Sequence, residues 1–153
     1  MTISNVTKKT GFTSNEKVWL STLWVFLTAN YIYCDVFTLM NPEDLKQLLT
    51  GGTGQIHITQ SFLLAFAIIM EIPLAMIVLS RLLNYGVNRV VNISAAIIMT
   101  VIQVWSLISG GSTPTLHYIF FSIVEIACLV FIAIYAWKWQ NTDSKQDIAI
   151  NRN

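Results

Sequence analysis

The sequence has 153 residues, of which 54% are hydrophobic and 11% are charged. Soluble globular domains carry about a quarter charged residues, so this chain has too little polar surface for a soluble fold of its size. The net charge of +1, with no basic patch or basic amphipathic helix, gives no basis for binding nucleic acid. The composition therefore predicts an integral membrane protein, with the lipid bilayer as a partner.

Four long apolar segments follow one another along the chain, after a polar N-terminal segment of residues 1–17. The first covers residues 18–40 and stops at Asn41-Pro42. Its roughly 23 residues, at 1.5 Å each, reach about 35 Å, enough to cross a hydrocarbon core of about 30 Å. The other three segments cover residues 59–83, 87–109 and 114–139, and a polar tail of residues 140–153 ends the chain. This pattern predicts an all-α, up-down four-helix transmembrane bundle.

A short amphipathic element separates the first two spanning segments. Asn41 is a good N-cap, Pro42 suits the first helical position, and Glu43 and Asp44 follow beside the positive end of the helix dipole. The Gly51-Gly52 pair ends the element. We expect a short helix lying on the membrane surface.

The distribution of basic residues predicts the orientation of the bundle. With the N-terminus in the cytoplasm, eight basic residues lie inside and only Lys46 lies outside. The eight are Lys8, Lys9, Lys17, Arg81, Arg89, Lys138, Lys145 and Arg152. We therefore expect both termini to be cytoplasmic.

Three acidic residues, Asp35, Glu71 and Glu125, lie inside the apolar segments. An ionisable group at the centre of a spanning helix costs about 2.5 to 3.5 kcal/mol, so such groups usually face a protein interior, a partner or a cavity. No lysine or arginine lies at a comparable depth to neutralise them. The acids are therefore the first candidates for a functional site.

On each spanning segment, one stripe is more polar than the rest of the helix surface, and its positions recur at steps of three and four residues. The stripes are Ser21, Trp24, Thr28, Tyr31, Asp35 and Thr38; Gln60, Ala67, Glu71 and Ala75; Asn92, Met99, Gln103 and Ser106; and Tyr118, Ser122, Glu125 and Cys128. Lipid cannot satisfy these groups, so we expect all four stripes to face inward and to line one cavity that opens outward.

Six residues are candidates for ligand binding or proton relay at this cavity. They are Asp35, Glu71, Glu125, Tyr31, Gln103 and Trp24. The sequence contains no metal-ligand motif, and we expect neither a metal nor a cofactor. No residue is assigned as catalytic.

The acids allow several interpretations. Each could be protonated and hydrogen-bonded, holding helices in register, at a cost of roughly 3.7 kcal/mol per glutamate at pH 7. Against this, intramembrane carboxyls commonly serve as proton relays or as cation and ligand sites. We favour a non-enzymatic protein that binds a small hydrophobic or cationic molecule with coupled proton uptake. The alternatives are an intramembrane acid–base enzyme of the isomerase kind and a structural subunit of a membrane complex. A second copy of the chain is a further candidate partner.

Several short stretches resemble a family of uncharacterised small bacterial membrane proteins with four helices. They are Leu23-Trp24, Tyr31-Ile32-Tyr33 with Asp35, Met70-Glu71-Ile72-Pro73 with Met76, Asn88-Arg89 with Asn92, Phe120-Phe121 with Val124-Glu125, and Tyr135-Ala136-Trp137. The resemblance covers residues 18–139. It implies a four-helix fold and a location in the bacterial inner membrane, but no activity.

Overall fold

The computed structural model describes residues 3–53, 56–109 and 114–139, with side chains for 15–51, 57–108 and 114–139. Four long helices make up most of it: α1 (Ile3–Met40), α3 (Gln60–Leu82), α4 (Tyr85–Ser109) and α5 (Leu116–Lys138). Between α1 and α3 lie the short helix α2 (Pro42–Leu49) and two paired two-residue strands, β1 (Gly52–Thr53) and β2 (Ile56–His57). The predicted all-α four-helix architecture is confirmed.

All four long helices contain an apolar stretch long enough to cross a membrane. Their outward faces carry large apolar side chains with no packing partner in the bundle, such as Ile68, Trp105 and Phe120, each more than 60% exposed. Water would not tolerate so much exposed apolar surface on a protein of this size, whereas lipid acyl chains do. The protein is a multi-pass membrane protein.

The helix ends follow the sequence signals closely, with one exception. The limits of α3, α4 and α5 agree with the predicted segments to within two residues. Asn41 caps α2 by accepting a hydrogen bond from the Glu43 amide at 3.2 Å, and Thr59 caps α3 by accepting one from the Phe62 amide at 3.2 Å. By contrast, α1 begins at Ile3 rather than near Val18, because hydrophobicity marks only the part of a helix that lies in the membrane. The predicted C-terminal tail lies outside the described residues.

The helices form a ring in the order α3, α1, α5, α4. Helix α1 packs against α3 and α5, and α4 packs against α5, whereas contact between α3 and α4 is limited. We call the end of the bundle that carries the α3–α4 turn the hairpin end. The opposite end, which carries α2 and the connection from α4 to α5, is the loop end.

A hydrogen-bond network of four buried side chains, the hairpin network, joins α1, α3 and α4. Asn92 Oδ1 accepts bonds from Trp24 Nε1 at 2.7 Å and from Ser80 Oγ at 3.2 Å. Asn92 Nδ2 donates to the Asn88 side chain and carbonyl, and Asn88 Nδ2 donates to the Ser80 carbonyl at 2.7 Å. The network leaves none of these amide and indole groups without a partner, and it fixes the rotation of three helices.

Two further contacts tie the hairpin end together. Ser21 Oγ donates to the Ile77 carbonyl at 2.8 Å and accepts from Arg81 Nε at 3.1 Å, which joins α1 to α3. Tyr85 donates its hydroxyl to the Trp139 carbonyl at 2.6 Å, and the two rings pack edge to face. The hairpin end is therefore closed by hydrogen bonds as well as by apolar packing.

Replacing Asn92 with alanine should lower the free energy of unfolding by about 1 to 3 kcal/mol, because Trp24, Ser80 and Asn88 each lose a buried partner. Ser94→Ala, an exposed position on the same helix, serves as the control and should change stability by less than about 0.5 kcal/mol. Reversible unfolding in mixed micelles measures both variants. Equal effects of the two substitutions would contradict the structural role given to the network.

Candidate functional site

The polar stripes of α1, α4 and α5 face the interior of the bundle over most of their length, but the prediction is wrong for Asp35 and Ser106, whose side chains are exposed. Tyr31, Gln103 and Glu125 are buried, and each lies on a different one of these helices. Their distances from the loop end, at about 1.5 Å of rise per residue, are similar, so the three stripes meet in one polar region in the loop-end half of the bundle. Apolar side chains, with Met99 and Leu129 among those fully buried, fill the core around them.

Glu125 is the most deeply buried ionisable residue of this region. Its side chain is 1% exposed, and neither carboxylate oxygen has a hydrogen-bond partner. The hydroxyl of Tyr31, a residue 7% exposed on α1, is also buried without a partner. A buried polar group without a partner costs about 1 to 3 kcal/mol, so two neighbouring ones are a substantial burden on stability.

Asp35 lies beside Tyr31 and Glu125, on the side nearer the loop end. Asp35 follows Tyr31 by one helical turn on α1. Unlike the side chain of Glu125, that of Asp35 is exposed on the surface of the bundle. Asp35 lies near enough to Glu125 for the two carboxyls to influence each other. We call Tyr31, Asp35 and Glu125 the acid site.

The other polar side chains of this region do have partners. Gln103 Nε2 donates to Ser122 Oγ at 3.0 Å, which joins α4 to α5 one turn from Glu125. Nearer the loop end, the hydroxyls of Ser106 and Tyr118 share a hydrogen bond of 2.6 Å. These pairs hold the walls of the acid site in register and leave Glu125 and Tyr31 as its unpartnered groups.

Aromatic rings lie beside the site at the loop end. The Phe37 ring lies 5.8 Å from that of Phe121 and 6.4 Å from that of His117, so α1 and α5 are joined there by aromatic contact. The His117 ring also hydrogen-bonds the Thr115 side chain at 3.2 Å. An apolar group entering from this end would meet rings before it met the carboxyls.

Two of the six predicted candidates lie elsewhere. Trp24 is buried in the hairpin network, where its indole already donates to Asn92, so it acts as a structural group. Glu71 is exposed, and the prediction that its stripe faces the interior is wrong. Helix α3 packs instead through Pro73, Met76 and Ser80, on the opposite side from Glu71.

The hairpin network was not predicted as a unit from the sequence. Asn88 and Asn92 lie four residues apart, which places them on one face of α4, and this spacing was the available signal. Ser80 gave no signal, because a lone serine in an apolar helix commonly bonds its own backbone. The described residues contain no group of three or more histidine, cysteine, aspartate or glutamate side chains arranged to hold a metal ion.

The arrangement of the acid site defines what it can do. Two carboxyl groups and a phenol hydroxyl can accept hydrogen bonds, balance a positive charge, or take up and release a proton. No lysine or arginine occurs in residues 18–45 or 90–137, so this chain supplies no cation at that depth. A positively charged or hydrogen-bond-donating group is the chemical complement of the site.

A model described as "Family of unknown function (DUF6326)" matches residues 8–146. The chain belongs to this family. The match includes α1 from residue 8 onward, the whole of α3, α4 and α5 of the DUF6326 chain, and every residue of the acid site. No curated protein and no solved structure matches the chain.

Replacing Glu125 with leucine should raise the free energy of unfolding by about 1 to 3 kcal/mol, because it removes a buried carboxyl that has no partner. The matched variant Gln103→Leu should lower it by about 1 kcal/mol, since Ser122 then loses its hydrogen bond. Unfolding in mixed micelles measures both. A destabilised Glu125→Leu protein would show that the carboxyl serves the fold rather than a site.

Proposed function

We propose that this DUF6326 protein is a non-enzymatic binding protein that holds a small amphiphilic cation at the acid site, with proton release from Glu125 on binding. The observation that carries the proposal is Glu125, which is 1% exposed and has two unpartnered carboxylate oxygens. Proteins retain such a costly group where it performs a task, and an intramembrane carboxyl most often binds a cation or a proton.

The contrast with the hairpin network supports this interpretation. In the hairpin network, every amide, hydroxyl and indole group has a partner, as structural polar groups in a membrane require. The Glu125 carboxylate oxygens and the Tyr31 hydroxyl are also buried, but they have no hydrogen-bond partner in the part of the chain that the structure describes. A carboxyl that served only to hold helices in register would be expected to bond to one of them.

The direction of access follows from the packing. The hairpin end is closed by the hairpin network and by the Tyr85–Trp139 contact. At the loop end, Asp35 is exposed, contact between α3 and α4 is limited, and every side chain in residues 60–68 of α3 is exposed. A ligand therefore enters from the loop end and meets Asp35 before Glu125.

The surroundings define the ligand class. The positive charge of a cationic head group would be balanced by Asp35 and Glu125. The head group would also lie beside the Tyr31 hydroxyl. An apolar body would pack beside Phe37 and Phe121. A small lipid-soluble amine or quaternary ammonium compound combines these two properties.

We also propose that the protein resides in a bacterial inner membrane with both termini in the cytoplasm. Among the described residues, Lys17, Arg81, Arg89 and Lys138 cluster at the hairpin end, and only Lys46 lies at the loop end. Basic residues stay on the cytoplasmic side of a bilayer, so the acid site opens to the opposite side.

A second candidate function, an acid–base enzyme acting on an apolar substrate, is favoured by one observation. Its two interacting carboxyls differ in environment, since Asp35 is exposed and Glu125 is buried. Carboxyls in unlike environments can serve as a separate acid and base. Recovery of a copurified molecule in chemically altered form after incubation with the protein would favour the enzyme over the binding protein.

Dodecyltrimethylammonium should bind the purified protein in nanodiscs, and Glu125→Gln or Asp35→Asn should weaken binding about 10- to 100-fold, because a charge-assisted contact is lost. Affinity should rise with pH in the wild type, since a cation binds the ionised carboxylate and displaces a proton. That pH dependence should be smaller in Glu125→Gln, where Asp35 is the remaining carboxyl of the acid site. Calorimetry at several pH values measures both quantities.

The matched control is Glu71→Gln, the same substitution at a similar depth but on the outward side of α3. It should bind dodecyltrimethylammonium like the wild type. Dodecyl maltoside, with the same chain and an uncharged head, should not compete. Equal weakening by Glu71→Gln, or equal binding by Glu125→Gln, would contradict the assignment of the ligand to the acid site.

The proposed orientation can be tested with single cysteines at exposed positions of the two ends, in a background lacking Cys34 and Cys128. A membrane-impermeant maleimide should label Leu49→Cys in intact spheroplasts and Asn84→Cys only after the membrane is permeabilised. The reverse labelling pattern would place the mouth of the acid site in the cytoplasm.

A further inference from the structure

Glu71 points directly away from the bundle into the region that lipid occupies. It is exposed, as are Leu64, Ile68, Leu74 and Val78, which share its face of α3. At 100° per residue, Glu71 lies about 140 to 180° around the helix from the buried Pro73, Met76 and Ser80. The outward direction of this carboxyl therefore follows from the side on which α3 packs.

The depth of Glu71 denies it water from either side. It lies 11 residues from Gln60 and 11 residues from Leu82, at the midpoint of α3. At 1.5 Å per residue this is about 16 Å from either end of the helix, far beyond the reach of a glutamate side chain. A carboxyl in this position needs a hydrogen-bond partner from another molecule within the membrane.

The immediate neighbours of Glu71 allow another helix to come close. Ala67 and Ala75, one turn before and one turn after it, lie on the same face of α3. Small residues four positions apart on a spanning helix let two backbones approach and let polar side chains bond across the contact. The carboxyl lies at the centre of this symmetric pattern.

We propose that the Glu71 face of α3, defined as Ala67, Glu71 and Ala75 with Leu64, Ile68 and Val78, is the contact surface of a homodimer. The partner is a second copy of this chain, related by a two-fold axis along the membrane normal. Two copies of α3 then run parallel, and Glu71 of one lies opposite Glu71 of the other.

The self-complementary chemistry of a carboxyl favours a second copy over a different protein. A carboxyl that holds its proton both donates and accepts, so two of them satisfy each other with no further group. In a two-fold contact each surface meets itself, so Ala67 and Ala75 leave room for their own counterparts. The central position of Glu71 keeps the pair in register. The pair needs no cationic partner, and residues 47–80 contain neither lysine nor arginine.

Energy transfer between donor- and acceptor-labelled protein in phosphatidylcholine vesicles, measured against the protein-to-lipid ratio, tests the proposal. The wild type should dimerise, and Glu71→Leu should raise the dimer dissociation constant about tenfold. Glu71→Gln should remain dimeric, because an amide also donates and accepts. This rescue separates a hydrogen bond between copies from a general effect on folding.

Ala67→Leu provides a second variant that keeps Glu71 but prevents close approach, and it should also weaken the dimer about tenfold. Its matched control is Ala127→Leu, an exposed alanine near the middle of α5, which should leave the dimer unchanged. Glu125→Gln should dimerise normally, so a failure of the proposed ligand site would not mimic a failure of the dimer. A monomeric wild type, or undiminished dimerisation of Glu71→Leu, would overturn the proposal.

Discussion

A polar group inside a bilayer must find its partner within protein, and this constraint organises the whole bundle. Within the hairpin network the constraint is met completely, because Trp24, Ser80, Asn88 and Asn92 use one another's donors and acceptors. These bonds cross three helices, so they set how each helix is rotated about its own axis. That rotation in turn decides which side chains face inward at the loop end, and the acid site depends on it.

The two mid-helix glutamates both lack a hydrogen-bond partner among the described residues, but for different reasons. Glu125 points into the bundle, where it is buried without a partner, and Glu71 points out of it, where lipid offers none. We assign the first to a small ligand that fits among helices and the second to another helix. The difference follows from geometry, since an enclosed interior admits a molecule of limited size and an open face admits a whole protein surface.

The sequence was sufficient for the fold and for the buried position of several candidate residues. Hydrophobic runs predicted the long helices to within about two residues apart from the start of α1. Polar periodicity placed Tyr31, Gln103 and Glu125 inside, but it also placed Asp35 there, which is exposed. Helix α3 was oriented wrongly. Its polar stripe has one strong member, Glu71, and alanines that suit either environment, whereas the face that does pack carries Met76 and Ser80, which give almost no periodic signal. Only the hairpin network, a contact between distant segments, decides between the two rotations.

The weak attachment of α3 at the loop end has a mechanical consequence. Its hairpin-end half is held by Ser80, Ile77 and Arg81, whereas residues 60–68 bury no side chain against the bundle. Because no side chain of residues 60–68 is buried, swinging this loop-end half of α3 outward would break few packing contacts. Helix α3 can pivot at the hairpin end and widen the gap between its loop-end half and α4, so that a molecule dissolved in the acyl chains would reach the loop end without first crossing into water.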